Sequence, residues 1–128
     1  MTDLIHLAGG CHCGAVRFEL DTPRSVTILD CNCSICSKTG FLHLIIPARH
    51  FRLLTSLDSL TSYSFGTGTA RHLFCATCGI KSFYRPRSHP DGWSVNVRAL
   101  DDSSALSITI QTYDGRGDWT AAHAALSN

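Results

Sequence analysis

The chain has 128 residues, 44% of them hydrophobic and 16% charged, with a formal net charge of +1. That length fits one domain, and the composition is globular rather than disordered. Near-neutral charge gives no electrostatic case for nucleic acid as a partner, and no stretch approaches the roughly 20 apolar residues of a membrane helix.

The opening stretch, Met1 to Gly10, has no basic region and too short an apolar run to read as a secretory signal. With seven cysteines in the chain, this points to a reducing cytoplasm, where thiols stay free. The first cysteine block, Cys11-His12-Cys13, lies between Gly9-Gly10 and Gly14. A C-x-C pair on an ideal strand holds its side chains parallel, so chelation needs a bent backbone, and the flanking glycines tolerate the positive φ of a tight turn. His12, set between two candidate ligands, is expected to face solvent.

Ala15 to Leu20 alternates apolar with charged residues and predicts a strand, and Val26 to Leu29 predicts another leading into the middle block. That block supplies Cys31, Cys33 and Cys36, with a short helical turn expected from Ser34 to Thr39. Lys38 is a candidate to orient an anionic substrate or to offset thiolate charge. Phe41 to Ile46 reads as a short buried strand stopped by Pro47, and His43 within it is a candidate general acid or base.

A further helical turn is expected at Thr55 to Leu60. Leu60 to Phe65 and Arg71 to Phe74 read as strands separated by the turn signal Gly66-Thr67-Gly68. Cys75-Ala76-Thr77-Cys78-Gly79 is a metal knuckle, in which the glycine lets backbone N–H groups point at sulfur and so offset thiolate charge. Arg85 and Arg87 are candidates to grip substrate carboxylates.

Ser88 to Gly92 is a turn signal, and Trp93 to Arg98 and Ile108 to Tyr113 complete a set of seven or eight short strands. Asp114 to Asp118 reads as a turn, and Thr120 to Leu126 is alanine-rich and a candidate helix. Trp93 and Trp119 read as packing residues. No repeat or linker divides the sequence, so residues 1–128 are expected to form a single, mainly β domain.

Seven cysteines cannot all pair as disulfides, and spacings of one or two residues between them are those of metal chelation. The outer blocks supply two thiolates each, enough to close a tetrahedral structural zinc site. The middle block supplies three, which leaves a coordination position for water or a thiol. Iron–sulfur clusters use other cysteine spacings. At this level His12, His43 or another side chain remains an alternative fourth ligand, which would make the middle site structural as well.

Three ordered stretches, Gly10 to Phe18, Cys31 to Lys38 and Phe74 to Gly79, carry a family resemblance. They resemble the glutathione-dependent formaldehyde-activating enzyme and centromere protein V family, from Gly9 through the 114–116 segment. The resemblance implies a β-tent fold of small antiparallel sheets around a structural zinc held by Cys11, Cys13, Cys75 and Cys78. It also implies a catalytic zinc at Cys31, Cys33 and Cys36, hence two zincs per chain.

The implied activity is that of a carbon–sulfur lyase resembling S-hydroxymethylglutathione synthase. Such an enzyme joins or separates a small thiol such as glutathione and a small aldehyde such as formaldehyde, a reaction of formaldehyde detoxification. The alternative is a non-catalytic zinc-binding module that binds a protein partner through a sheet face.

Overall fold

Short, β-rich segments broken by turns build three small sheets. The structure is a computed structural model that describes residues 3–66, 68, 70–86, 89 and 91–113. The first sheet has the order β1 (Leu4–Gly10), β2 (Arg17–Pro23) and β5 (Phe51–Leu53), all antiparallel. The second runs β10 (Ser107–Tyr113), β3 (Ser25–Cys31), β4 (Leu42–Pro47), β9 (Gly92–Asn96) and β8 (Phe83–Tyr84). The third pairs β6 (Leu60–Tyr63) with β7 (His72–Cys75).

The chain is thus mainly β with small antiparallel sheets, as expected, apart from one pair. β10 lies parallel to β3, from Ser107 opposite Ser25 to Tyr113 opposite Cys31. Parallel neighbours need a long crossover, and the chain between Cys31 and Ser107 supplies it. No helix among the described residues is long and apolar enough to cross a membrane.

The one α-helix among the described residues, α1 (Ser34–Thr39), falls where the middle cysteine block predicts it and ends at Gly40 in the left-handed conformation. The helical turn expected at Thr55 to Leu60 is a single 3-10 turn, Leu57–Ser59, in which Ser56 Oγ accepts the Asp58 N–H. Strand β9 stops at Asn96 instead of running to Arg98, because the Asn96 side chain accepts the Arg98 N–H and opens a 3-10 turn at Val97–Ala99. Strand β6 likewise ends at Tyr63, short of Phe65. The expected turn at Asp114 to Asp118, the candidate helix at Thr120 to Leu126, Trp119 and Arg87 all lie outside the described residues.

Alternation along the second sheet gives it two unlike faces. Leu44, Ile46, Phe83, Trp93 and Val95 share one face, which packs on Phe18 and Phe51 of the first sheet. Phe18 stacks on Phe51 with ring centroids 5.5 Å apart and meets Phe83 edge-on at 5.7 Å. The opposite face carries His43, Tyr84, Ser94 and Asn96, all buried. A buried polar face of this kind must find its hydrogen bonds internally or in a ligand.

Gly9 and Gly10 are required for close approach rather than for a left-handed backbone. Positive φ in the first block belongs to Gly14 alone, at 86°. A Cβ on Gly10 would stand 2.1 Å from the Val16 carbonyl oxygen, the same oxygen that accepts the Cys11 N–H at 3.0 Å. Gly10→Ala is therefore expected to spread this loop at a cost of about 1–3 kcal/mol. A matching fall in denaturation midpoint, with weaker metal retention, would be the outcome in a melting experiment. An unchanged midpoint would contradict the contact.

Candidate metal centres and the buried polar face beside them

The fold brings the first and third cysteine blocks together. Cys11 and Cys13 follow the end of β1, Cys75 ends β7, and Cys78 lies in the knuckle beyond it. The four sulfurs lie within 4.8 Å of one another. Cys13 Sγ stands 3.6 Å from both Cys11 Sγ and Cys75 Sγ. A tetrahedral site with Zn–S bonds of about 2.3 Å has sulfur–sulfur edges of about 3.8 Å, so the spacing fits four ligands on one ion. It is far too long for a disulfide.

Backbone donors already point at these sulfurs. Val16 donates its N–H to Cys11 Sγ at 3.3 Å, and Thr77 and Cys78 donate to Cys75 Sγ at 3.3 and 3.4 Å. The Cys78 and Thr77 N–H groups hold the Cys75 thiol low, and those of Cys13 and Ile80 bring Cys78 down to about 6. Gly79, with φ of 77°, turns the knuckle so that its N–H groups face sulfur. His12 is exposed.

The second group is Cys31, Cys33 and Cys36, again with all sulfurs within 4.8 Å of one another. Among the described residues no His, Asp or Glu atom joins them at that reach, His43 included. Cys33 caps α1, its sulfur accepting the Cys36 N–H at 3.4 Å, and Cys31 Sγ accepts the Cys33 N–H at 3.5 Å. Hydrogen bonds from Cys31 and Cys36 bring the Cys33 thiol down to about 2, the contact with Cys33 pushes Cys31 up, and the contacts with Cys31 and Cys33 push Cys36 up. One thiolate thus forms readily, while two more beside it repel each other. A bound dication removes that repulsion, and three thiolates on it leave a net charge of −1. Both groups can hold a metal ion.

Beside the three thiols lies a buried cluster that motif spacing did not single out. Lys81, three residues beyond Cys78, is 8% exposed, and its Nζ donates to His72 Nδ1 at 2.8 Å. That ammonium sits 4.0 Å from the centre of the Tyr84 ring and 5.0 Å from that of Phe41. Among the described residues no carboxylate pairs with it. Burial lowers it to about 8, against the opposing pull of the Cys36 and Cys33 sulfurs. His72 stacks on Tyr84 with centroids 4.8 Å apart. Tyr84 is raised by burial first and by the Cys36, Cys33 and Cys31 charges after it.

His43 belongs to the same cluster. Its Nδ1 bonds Ser94 Oγ at 2.8 Å and Tyr84 OH at 3.3 Å, while its buried Nε2 has no hydrogen-bond partner among the described residues. Burial, and then the Lys81 charge, lower both His43 and His72 to about 4. Both imidazoles should therefore remain neutral at pH 6, where an exposed histidine is largely protonated. Ring-proton NMR titration is expected to give midpoints near pH 4 for these two. Midpoints above pH 6 would contradict the burial.

The other sequence candidates stand apart from this cluster. Lys38 is exposed in the last turn of α1, where a cation complements the helix dipole. Arg85 lies on the opposite face of the sheet from Tyr84. Its guanidinium stacks 3.9 Å from the Trp93 ring and donates to the Gly92 carbonyl, and Trp93 packs on Phe51 and Phe83.

Residues 6–116 match the model of the glutathione-dependent formaldehyde-activating enzyme family. A Halomonas elongata protein provisionally named a glutathione-dependent formaldehyde-activating enzyme is 54% identical over 34 residues, 27% of this chain. The match spans 22% of that relative's length. A crystal structure of a Rhodobacter sphaeroides protein superposes with a TM-score of 0.67 at 34% identity, covering 80% of this chain and 100% of that one.

Proposed function

The chain belongs to the glutathione-dependent formaldehyde-activating enzyme family, and on that premise we propose that it is a zinc-dependent carbon–sulfur lyase. Its substrates are a small thiol, glutathione by family, and a small aldehyde, formaldehyde or a relative. Cys31, Cys33 and Cys36 hold the catalytic zinc, and Cys11, Cys13, Cys75 and Cys78 hold a structural one. The observation that carries this reading is the contrast between four converging sulfurs in one group and three in the other.

Held by Cys31, Cys33 and Cys36, zinc would supply a Lewis acid and would lower the pKa of a thiol bound to it. The rest falls to the protein. Cys31, at the end of β3, and Cys33 and Cys36, at the start of α1, fix the three sulfurs against a rigid sheet. His43, Tyr84 and Phe41 are buried and pack on one another, and Tyr84 lies near enough to the three thiols to feel their charge. Thiolate attack on the carbonyl carbon gives a hydroxymethyl thioether, and the reverse step breaks that C–S bond.

Exchange NMR on a mixture of glutathione and formaldehyde tests the activity. Zinc-loaded protein is expected to speed interconversion of the free aldehyde and its S-hydroxymethyl adduct. An exchange rate equal to that without protein would contradict the proposal.

A further inference from the structure

We propose that Lys81 is a catalytic residue: its ammonium holds the aldehyde oxygen while the C–S bond forms and gives that oxygen its proton. This rests on the lyase reading above and names the proton donor within it. Lys81 has no carboxylate partner among the described residues; a charged lysine so placed is costly to bury, and side chains of this kind concentrate where charge develops during a reaction. The Lys81 Nζ–H is aimed by the bond to His72 Nδ1 and by the Tyr84 and Phe41 rings that flank it. The ionisable groups that face the ammonium are His72 from β7 and Tyr84 from β8, in contact with it, and His43 of β4, Cys36 of α1 and Cys33 at the N-cap of α1, which are coupled to it by charge.

An independent observation points to a small oxygen ligand in the same place. His43 packs on the same two rings, with centroids 4.6 Å from Phe41 and 5.6 Å from Tyr84, and its buried Nε2 lacks a partner among the described residues. With Nδ1 engaged by Ser94, either tautomer leaves Nε2 short of one donor or one acceptor. The hydroxyl of a hydroxymethyl thioether is both.

The step balances without redox. The thiolate sulfur forms the C–S bond, the C=O π pair moves to oxygen, and a proton passes from Nζ to that oxygen. The neutral amine recovers a proton from solvent, equal to the one the thiol released on ionising. In the cleavage direction the amine takes the hydroxyl proton as the C–S bond breaks. Adduct formation therefore needs the ammonium and cleavage needs the amine.

The test uses Lys81→Met and Lys81→Arg alongside the unaltered protein, with metal content and the visible spectrum of cobalt-substituted protein on adding glutathione as readouts besides rate. Lys81→Met is expected to keep both metals and the spectral response to thiol, with KM for thiol within about threefold, while kcat falls about 10²-fold. In the unaltered protein the formation rate should decline as alkaline pH takes the proton from Lys81. In Lys81→Arg that decline should disappear, since a guanidinium stays protonated, and cleavage should be slow throughout.

A Lys81→Met kcat within twofold of the unaltered value overturns the proposal and leaves the lyase reading intact. Loss of metal from Lys81→Met together with an unshifted pH profile in Lys81→Arg also overturns it, since Lys81 would then serve only to offset thiolate charge. Absence of any thiol-dependent catalysis in the unaltered protein overturns the lyase reading and this proposal with it.

Discussion

Cys75→Ser is expected to abolish cooperative folding. Cys75 is 1% exposed, packs within the hydrophobic core, and its sulfur accepts two backbone N–H groups while standing 3.6 Å from Cys13 Sγ. A structural zinc contributes on the order of 10 kcal/mol to folding, comparable with the whole stability of a small domain. Serine keeps the shape but is a poor zinc ligand, so the join between the end of β1 and the knuckle after β7 loses its cross-link. Circular dichroism should show lost near-UV signal, and metal analysis should show the tightly held ion gone. A variant that melts cooperatively at the unaltered temperature would show that the four sulfurs do not hold the fold.

Cys33→Ser should do the opposite, leaving the fold and removing turnover. Cys33 is the N-cap of α1, and its sulfur already accepts the Cys36 N–H. Serine is among the best N-cap residues, so the helix keeps its cap while the middle group drops to two thiolates. The expected outcome is a melting temperature within a few degrees of the unaltered one, loss of one metal per chain, and glutathione-dependent rates at background. Unfolding of Cys33→Ser would indicate a second structural site rather than a catalytic one.

The metal groups were legible in the sequence because chelation leaves a local signature. Two or three cysteines within six residues, with glycine beside them, suffice to mark a ligand block, and the grouping into four and three follows from tetrahedral geometry. The strands with clean alternation or β-branched runs, β2, β3, β4, β9 and β10, were also legible. Strands β5 and β8 are three and two residues long, too short for any period to show. β1 ends in two glycines, which propensity disfavours and which the closeness of the Ala99 carbonyl to Gly9 and of the Val16 carbonyl to Gly10 explains.

The polar face beside the thiols was hidden for a different reason. Lys81, His72, Tyr84 and Ser94 come from separate segments, and each looks in sequence like an ordinary surface or strand residue. Only the pairing of β8 and β9 with β4, and the knuckle that carries Lys81 inward, place them together. His43 alone stood out, as a candidate acid or base. Its Nδ1 is engaged by Ser94 and Tyr84, burial suppresses its protonation, and its Nε2 has no partner among the described residues.

The most direct test of the four-plus-three division is metal content measured before and after mild chelation, combined with a glutathione titration of cobalt-substituted protein. Two metal groups of unlike completeness predict two ions per chain, one of them readily extracted. A change in visible absorption on adding thiol should then vanish with that extractable ion. A single tightly held ion, with a spectrum indifferent to glutathione, would contradict an open site at Cys31, Cys33 and Cys36.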